Sequence, residues 1–334
     1  MNKLKLIKFS GWGIAIIFLF LVPTFFDSPY WIYLLIMCGM NVILASSLRT
    51  INLTGQLSLA HGGMMTFGAY TTALLVMKLG MSSWLALLIT GVATFIIAYI
   101  VGYLFMRLKG IYFSMVTLFF ALVIILLILQ WDSLTEGAMG LINIPTADSI
   151  SVFGLFTIDF AVKTNFYYLT LVIVLISLLV LYAFEHSRVG TAFRSISQSD
   201  SLAESIGIDT TKYKVIAFSV GCFFAGITGG LYAQYYGTLT PESFGFVYTI
   251  YVVVYMVVGG SGKFIGPIIG ALLLTIVPAQ FTSLGKYNPF FFAAILMLVI
   301  FFLPKGLVGL PDRIRTLIDN RKKNAGNKRI NKKI

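Results

Sequence analysis

The sequence predicts an all-α polytopic membrane protein of eight to ten membrane helices, some of them broken or re-entrant. Two observations predict this class. Of 334 residues, 58% are hydrophobic and only 11% charged, a balance foreign to soluble domains. Apolar runs of about 18 to 25 residues recur along almost the whole chain, each long enough as a helix to cross a hydrocarbon core roughly 30 Å thick. A β-barrel would need short alternating segments with polar inward faces instead.

Ten spans are expected in order: 9–26, 29–48, 53–77, 83–106, 112–130, 164–184, 213–235, 244–260, 264–281 and 289–303. The first follows Lys3, Lys5 and Lys8 and resembles a signal peptide. Its apolar run is long and no small-residue cleavage site follows, so it reads as a retained helix. In this alternation only Lys78, Lys163 and Lys286 fall on one side, against the other 21 of the 24 basic residues, which share the side of both termini. The positive-inside rule then places both termini in the cytoplasm. The expected organisation is a cytoplasmic N-terminus over 1–8, a transmembrane region over 9–303 and a basic cytoplasmic tail over 304–334. The net charge of +12 is mostly this topology signal, and the tail RKKNAGNKRINKKI reads as a solvated segment facing lipid headgroups, not nucleic acid.

Two polar loops stand out within the transmembrane region. The loop 131–163 carries Asp132, Glu136, Asp148 and Asp159 against a single Lys and falls outside the cell. The loop 185–212 falls in the cytoplasm and is long for a mere connection. Its Ala192, Ile196, Leu202, Ala203 and Ile206 are spaced for one or two short amphipathic helices, with Gly207 as a helix stop. Their apolar stripe either packs back on the protein or docks into a partner's groove.

Reactive chemistry is scarce. The two histidines, His61 and His186, lie far apart without a HExxH or acid-rich motif, so no metal and no catalytic residue is expected. Cys38 and Cys222 sit inside apolar runs and read as structural thiols. GGSGKFIG, residues 259–266, lacks both the first Gly and the Ser or Thr of a phosphate-binding loop and reads as a tight turn between two membrane segments. No span holds a charged residue in its interior, so the energy for any transport is expected from outside the chain.

The stretch LTGQLSLAHGGMMTFGAY, residues 53–70, breaks the apolar pattern. Unsatisfied polar groups in hydrocarbon cost several kcal/mol each, so Gln56, Ser58 and His61 are expected to face protein or a wet path and to satisfy one another or a broken backbone. Gly62 and Gly63 permit the close packing that a broken segment beside a pathway uses. Thr54, Gln56, Ser58, His61, Gly62 and Gly63 are therefore candidates for a substrate pathway. The plainer alternative is helix packing, with His61 capping a helix end.

The same stretch resembles the GQLSLGHxxFxxxGAYxxAxL signature of the branched-chain amino acid ABC transporter permeases, LivM-like family. FRSISQSDSLAESIGIDTTKYKVIAFSVGCFFAGITGGLYA looks like that family's cytoplasmic loop and following helix, VVGGSGKFIGPIIGALLL is similar to its GGxGxxxGPxxGAxxL, and FLPKGLVGL to its closing FxPxGLxGL. The four segments occur in the family's order from about residue 52 to 310. The resemblance implies an ABC importer permease fold in a bacterial inner or plasma membrane, forming half of the solute path. The implied partners are a second, LivH-like permease, two cytoplasmic ATP-binding subunits that bind the ATP, an extracytoplasmic solute-binding protein and membrane lipid. It implies no cofactor in this chain and no enzymatic activity. It also implies that the cytoplasmic loop is a coupling element, with Arg194, Asp200, Ala203, Glu204 and Gly207 matching the family's pattern while Ser201 and Leu202 replace the Glu-Ala that opens it. The alternatives carried beside it are a permease for urea or short-chain amides in the same family and a stand-alone secondary carrier or channel.

Overall fold

The computed structural model describes residues 19–23, 28–152, 156–280 and 306–309, together with 293, 296, 297 and 301. Most of the first and last expected spans, 9–26 and 289–303, and of the basic tail lies outside the described residues.

The long elements are α1 Pro29–Asn52, α2 His61–Leu79, α3 Ser83–Phe105, α4 Ile111–Gln130, α6 Lys163–His186, α9 Thr210–Tyr236, α10 Phe246–Gly259 and α11 Ile265–Gln280. Short helices α5 Asp132–Thr135, α7 Arg188–Gln198 and α8 Asp200–Ser205 lie in the two polar loops. Local chemistry fixes many of the ends. Pro29 opens α1, Ser82 and Asp209 cap α3 and α9 by accepting backbone N–H groups of Leu85 and Lys212, and Gly80 and Gly237 close α2 and α9 in left-handed conformations at φ 61° and 68°.

Among the described residues six helical segments are long and apolar enough to cross a membrane: α1, α3, α4, α6, α9 and residues 241–259, where a short 3-10 turn precedes α10. At 19 residues α2 is long enough, but Gly, Thr and His dilute its apolarity; α11 is apolar but has only 16. The expected span 53–77 is thus corrected. Residues 53–60 are not helical, and the helix starts at His61.

Loop 131–163 marks one end of the bundle. There Lys78 Nζ donates to the carbonyls of Ser133 and Leu134, and the backbone N–H of Ser83 donates to Asp148. Two small antiparallel ladders shape it: β1 Leu141–Ile142 pairs with β4 Thr238–Leu239, and β2 Ile150–Val152 with β3 Phe156–Ile158. At the opposite end lie Arg49, the α3–α4 turn, loop 185–212 and the GGSGKFIG turn.

The core is centred on α9, which packs along α1, α2 and α3. Small residues make this closeness possible: a Cβ at Gly68 would run into the backbone of Gly226, so α2 and α9 touch main chain to main chain. By contrast α3 and α4 turn Leu88, Ile96, Ile100, Phe119, Val123 and Leu127 outward, the face such a bundle offers to lipid or a neighbouring apolar surface. Cys38 and Cys222 are buried and unpaired with each other.

Candidate functional site

The glycine-rich stretch builds a broken helix. After α1 the chain turns through Gly55, held at φ 80°, and runs without regular structure to Ala60. Its backbone polar groups must still be satisfied, and α4 supplies them: Ser114 Oγ donates to the Leu57 carbonyl at 2.7 Å, and the Leu59 N–H donates to Thr117 Oγ1 at 3.0 Å. Thr54 Oγ1 donates to the Ile51 carbonyl, and Gln56 Nε2 to that of Leu108 at 3.3 Å. Ser58 Oγ accepts from the Ala60 N–H.

At the start of α2, His61 Nε2 lies 3.1 Å from Ser47 Oγ, and the Gly62 N–H donates to Thr249 Oγ1 at 3.2 Å. Thr249 sits in the first turn of α10, so the N-terminal ends of α2 and α10 meet inside the bundle. A Cβ on Gly62 would lie 2.6 Å from the Phe244 carbonyl, and one on Gly63 would lie 2.5 Å from Ala121 Cα. Thr54, Gln56, Ser58 and His61 are all buried, as expected for groups turned away from lipid. They do not bond one another, however: His61 and Thr54 find partners on α1, Gln56 one in the α3–α4 turn, and Ser58 the Ala60 N–H of its own segment.

Loop 185–212 folds into two capped helices. Ser187 Oγ accepts from Val189 and Gly190 at the start of α7, and Ser199 Oγ accepts from Leu202 at the start of α8. Gly207, at φ 84°, turns the chain after α8 with its N–H on the Glu204 carbonyl. The apolar stripe divides. Ala192, Ile196 and Ala203 are buried against the protein, whereas Leu202 and Ile206 are 69% and 72% exposed.

The polar candidates anchor this loop. Arg194 Nη2 donates to Glu185 Oε1 at 3.3 Å and to the Glu185 carbonyl at 3.2 Å. Glu204 Oε1 accepts from Thr210 Oγ1 at 2.7 Å. Asp200 lies 2.8 Å from Lys214 Nζ, at the start of α9, and 2.9 Å from Lys109 Nζ, in the α3–α4 turn. Burial alone would raise the Asp200 carboxyl, but the hydrogen bonds from Lys214 and Lys109 override it and hold the carboxyl below its ordinary range.

A cavity of about 230 Å³ brings together two of the pathway candidates, Thr54 and Gln56, and one of the loop candidates, Asp200. Lys109, Ser197 and Lys214 add to its polar walls. His61, Gly62 and Gly63 are not among its walls.

The sequence reading missed one junction. Arg49, in the last turn of α1, holds the Glu185 carboxylate through both terminal nitrogens, the Nη2 contact being 2.9 Å, and donates from Nε to the Ser261 carbonyl at 2.8 Å. Both side chains are buried, at 3% and 9% exposure. Counted as a topology charge, Arg49 gave no hint of this; the available signal was a lone acid, Glu185, directly ending an apolar run. Among the described residues no group of three His, Cys, Asp or Glu could hold a metal ion.

The family model described as the permease component of the branched-chain amino acid transport system matches residues 30–304. The chain is 29% identical over 297 residues to the high-affinity branched-chain amino acid transport system permease protein LivM of Salmonella typhimurium, covering 83% of this chain and 68% of that protein. The LivM of Escherichia coli K12 is 29% identical over 294 residues, with the same coverage. The LivH permease of Salmonella typhimurium is 26% identical over 269 residues, 77% of this chain and 87% of that one. No solved structure matches the chain. A multi-pass helical bundle whose sequence matches this model along most of its length is a permease, and the chain belongs to the branched-chain amino acid transport system permease family, with LivM-type proteins among its relatives.

Proposed function

We propose that this permease is one transmembrane half of an ATP-driven importer for branched-chain amino acids, seated in a bacterial plasma membrane with both termini in the cytoplasm. The observation that carries the reading is the exposure of Leu202 and Ile206 on a loop that ion pairs tie to the bundle. Two large apolar side chains at a polar end of a membrane protein want a protein cover, and an ATP-binding subunit is the cover the reading supplies. Its relatives LivM and LivH support a pair of homologous permeases; to these the reading adds an ATP-binding subunit under each and a solute-binding protein at the opposite face.

In this reading ATP binding draws the two ATP-binding subunits together and moves α7 and α8 with them. Arg194, Asp200 and Glu204 then transmit the displacement to α6, α9 and the α3–α4 turn. Ala203 and Gly207 shape the loop; Thr54, Gln56, Ser58, His61, Gly62 and Gly63 line or support the solute path at the break before α2. The chain itself hydrolyses nothing and needs no cofactor.

The test is reconstitution of the chain in vesicles with a LivH-type permease, ATP-binding subunits and a solute-binding protein of the same organism. Uptake of leucine, isoleucine or valine that requires internal ATP is the expected result. ATP-driven uptake of urea or acetamide alone would overturn the solute class, and uptake by the permeases without the ATP-binding subunits would overturn the importer reading.

A further inference from the structure

The Arg49–Glu185 pair is costly to bury, and such pairs are poor contributors to stability compared with apolar residues of the same size. Its geometry suggests a different use. The Glu185 carboxylate, at the end of α6, accepts from Arg49 on one side and from Arg194 of α7 on the other. Arg49 in turn donates from Nε to the carbonyl of Ser261 and lies over the Phe264 ring, 5.9 Å from its centroid. Ser261 and Phe264 belong to the GGSGKFIG turn between α10 and α11. That turn is itself tightly built: a Cβ on Gly266 would collide with the Gly260 carbonyl, so the ends of α10 and α11 touch main chain to main chain there.

We infer that Arg49 is a positioning residue of the transport cycle, joining the docking loop to the α10–α11 turn through Glu185. The path continues along α10 to Thr249, which accepts the Gly62 N–H at the broken start of α2. A displacement of α7 thereby reaches the interior end of α2 through Arg194, Glu185, Arg49, Ser261 and α10. Only a guanidinium fits the junction. It offers a carboxylate two parallel donors and keeps a third, Nε–H, for the Ser261 carbonyl; a Lys ammonium is a point charge that cannot hold both partners in this geometry.

The inference rests on the importer reading, so the experiment uses the fully assembled complex in vesicles and measures solute taken up per ATP hydrolysed. Arg49→Lys and the double replacement Arg49→Met with Glu185→Met are compared with wild type. The double replacement removes both charges together and leaves apolar chains of similar volume, so it assembles even where a single replacement strands a buried charge. The expected result is ATP hydrolysis retained and solute per ATP reduced at least fivefold, on the order of the coupling between linked sites, with Arg49→Lys also reduced. A merely structural pair would lower the amount of complex and leave solute per ATP unchanged, and that result overturns the inference. Failure of the wild-type complex to couple ATP to uptake would instead sink the importer reading.

Discussion

The Gly62 N–H and the Thr249 hydroxyl meet at 3.2 Å, joining the first turns of α2 and α10 inside the bundle. Thr249→Val keeps the shape but removes the acceptor, leaving a buried donor unpaired at a cost of about 1 to 3 kcal/mol. Gly62→Leu is expected to be worse, because even its Cβ meets the Phe244 carbonyl. Thermal unfolding of the purified complex should rank wild type above Thr249→Val and Thr249→Val above Gly62→Leu; a stable Gly62→Leu complex would contradict the close approach.

His61 presents Nε2 to Ser47 Oγ from a site 1% exposed. His61→Gln retains a group able to bond Ser47, whereas His61→Leu leaves that hydroxyl without it. Uptake normalised to assembled complex should therefore fall several-fold less in His61→Gln than in His61→Leu, about the range that an unmade buried hydrogen bond spans. Equal normalised rates would remove the pathway role from this residue.

The division of the apolar stripe on α7 and α8 gives opposite expectations for neighbouring positions. Leu202→Glu and Ile206→Glu alter exposed side chains, so the permease should reach the membrane in wild-type amount yet recover little ATP-binding subunit on co-purification. Ala203→Glu places a charge at a site 2% exposed and should lower the permease itself. Full recovery of the ATP-binding subunit with both exposed variants would move the docking surface elsewhere.

Asp200 sits between an interior and a surface lysine: the Lys214 side chain is 4% exposed and that of Lys109 is 71% exposed. Salt screens the Lys109 arm, so Lys109→Ala should change stability little, while Lys214→Met should cost more by leaving the carboxylate half-paired. The carboxyl's folded pKa is depressed, so its contribution is complete above the ordinary value of 3.8 and lost as pH falls below it. The gap in melting temperature between wild type and Asp200→Asn should stay constant from neutral pH down to about the ordinary carboxylate range and close below it. A gap that closes at neutral pH would contradict the pairing.

Apolar run length was enough to place α1, α3, α4, α6, α9, α10 and α11 within a few residues, because a helix in hydrocarbon satisfies its own backbone and needs only length and apolarity to be specified. The break before α2 was legible for the converse reason: Gly55, Gln56, Ser58 and His61 are residues that lipid-facing helix does not tolerate. What the break bonds to was not legible, since Ser114 and Thr117 look like ordinary members of an apolar run until α4 is laid beside residues 57–59.

The sequence by itself determined the class of molecule, the two polar loops, the capped helices and the turn at residues 259–266, all set by interactions among near neighbours in the chain. Only the tertiary structure decided that Ala203 faces inward while Leu202 faces out, since α8 is too short for its own pattern to choose a face. It alone joined Arg49 to Glu185, 136 residues away, and both to the Ser261 carbonyl. A charge near the end of an apolar run has the same local meaning whether water or a buried partner receives it, and the difference is made by which helix ends the folded bundle gathers in one place.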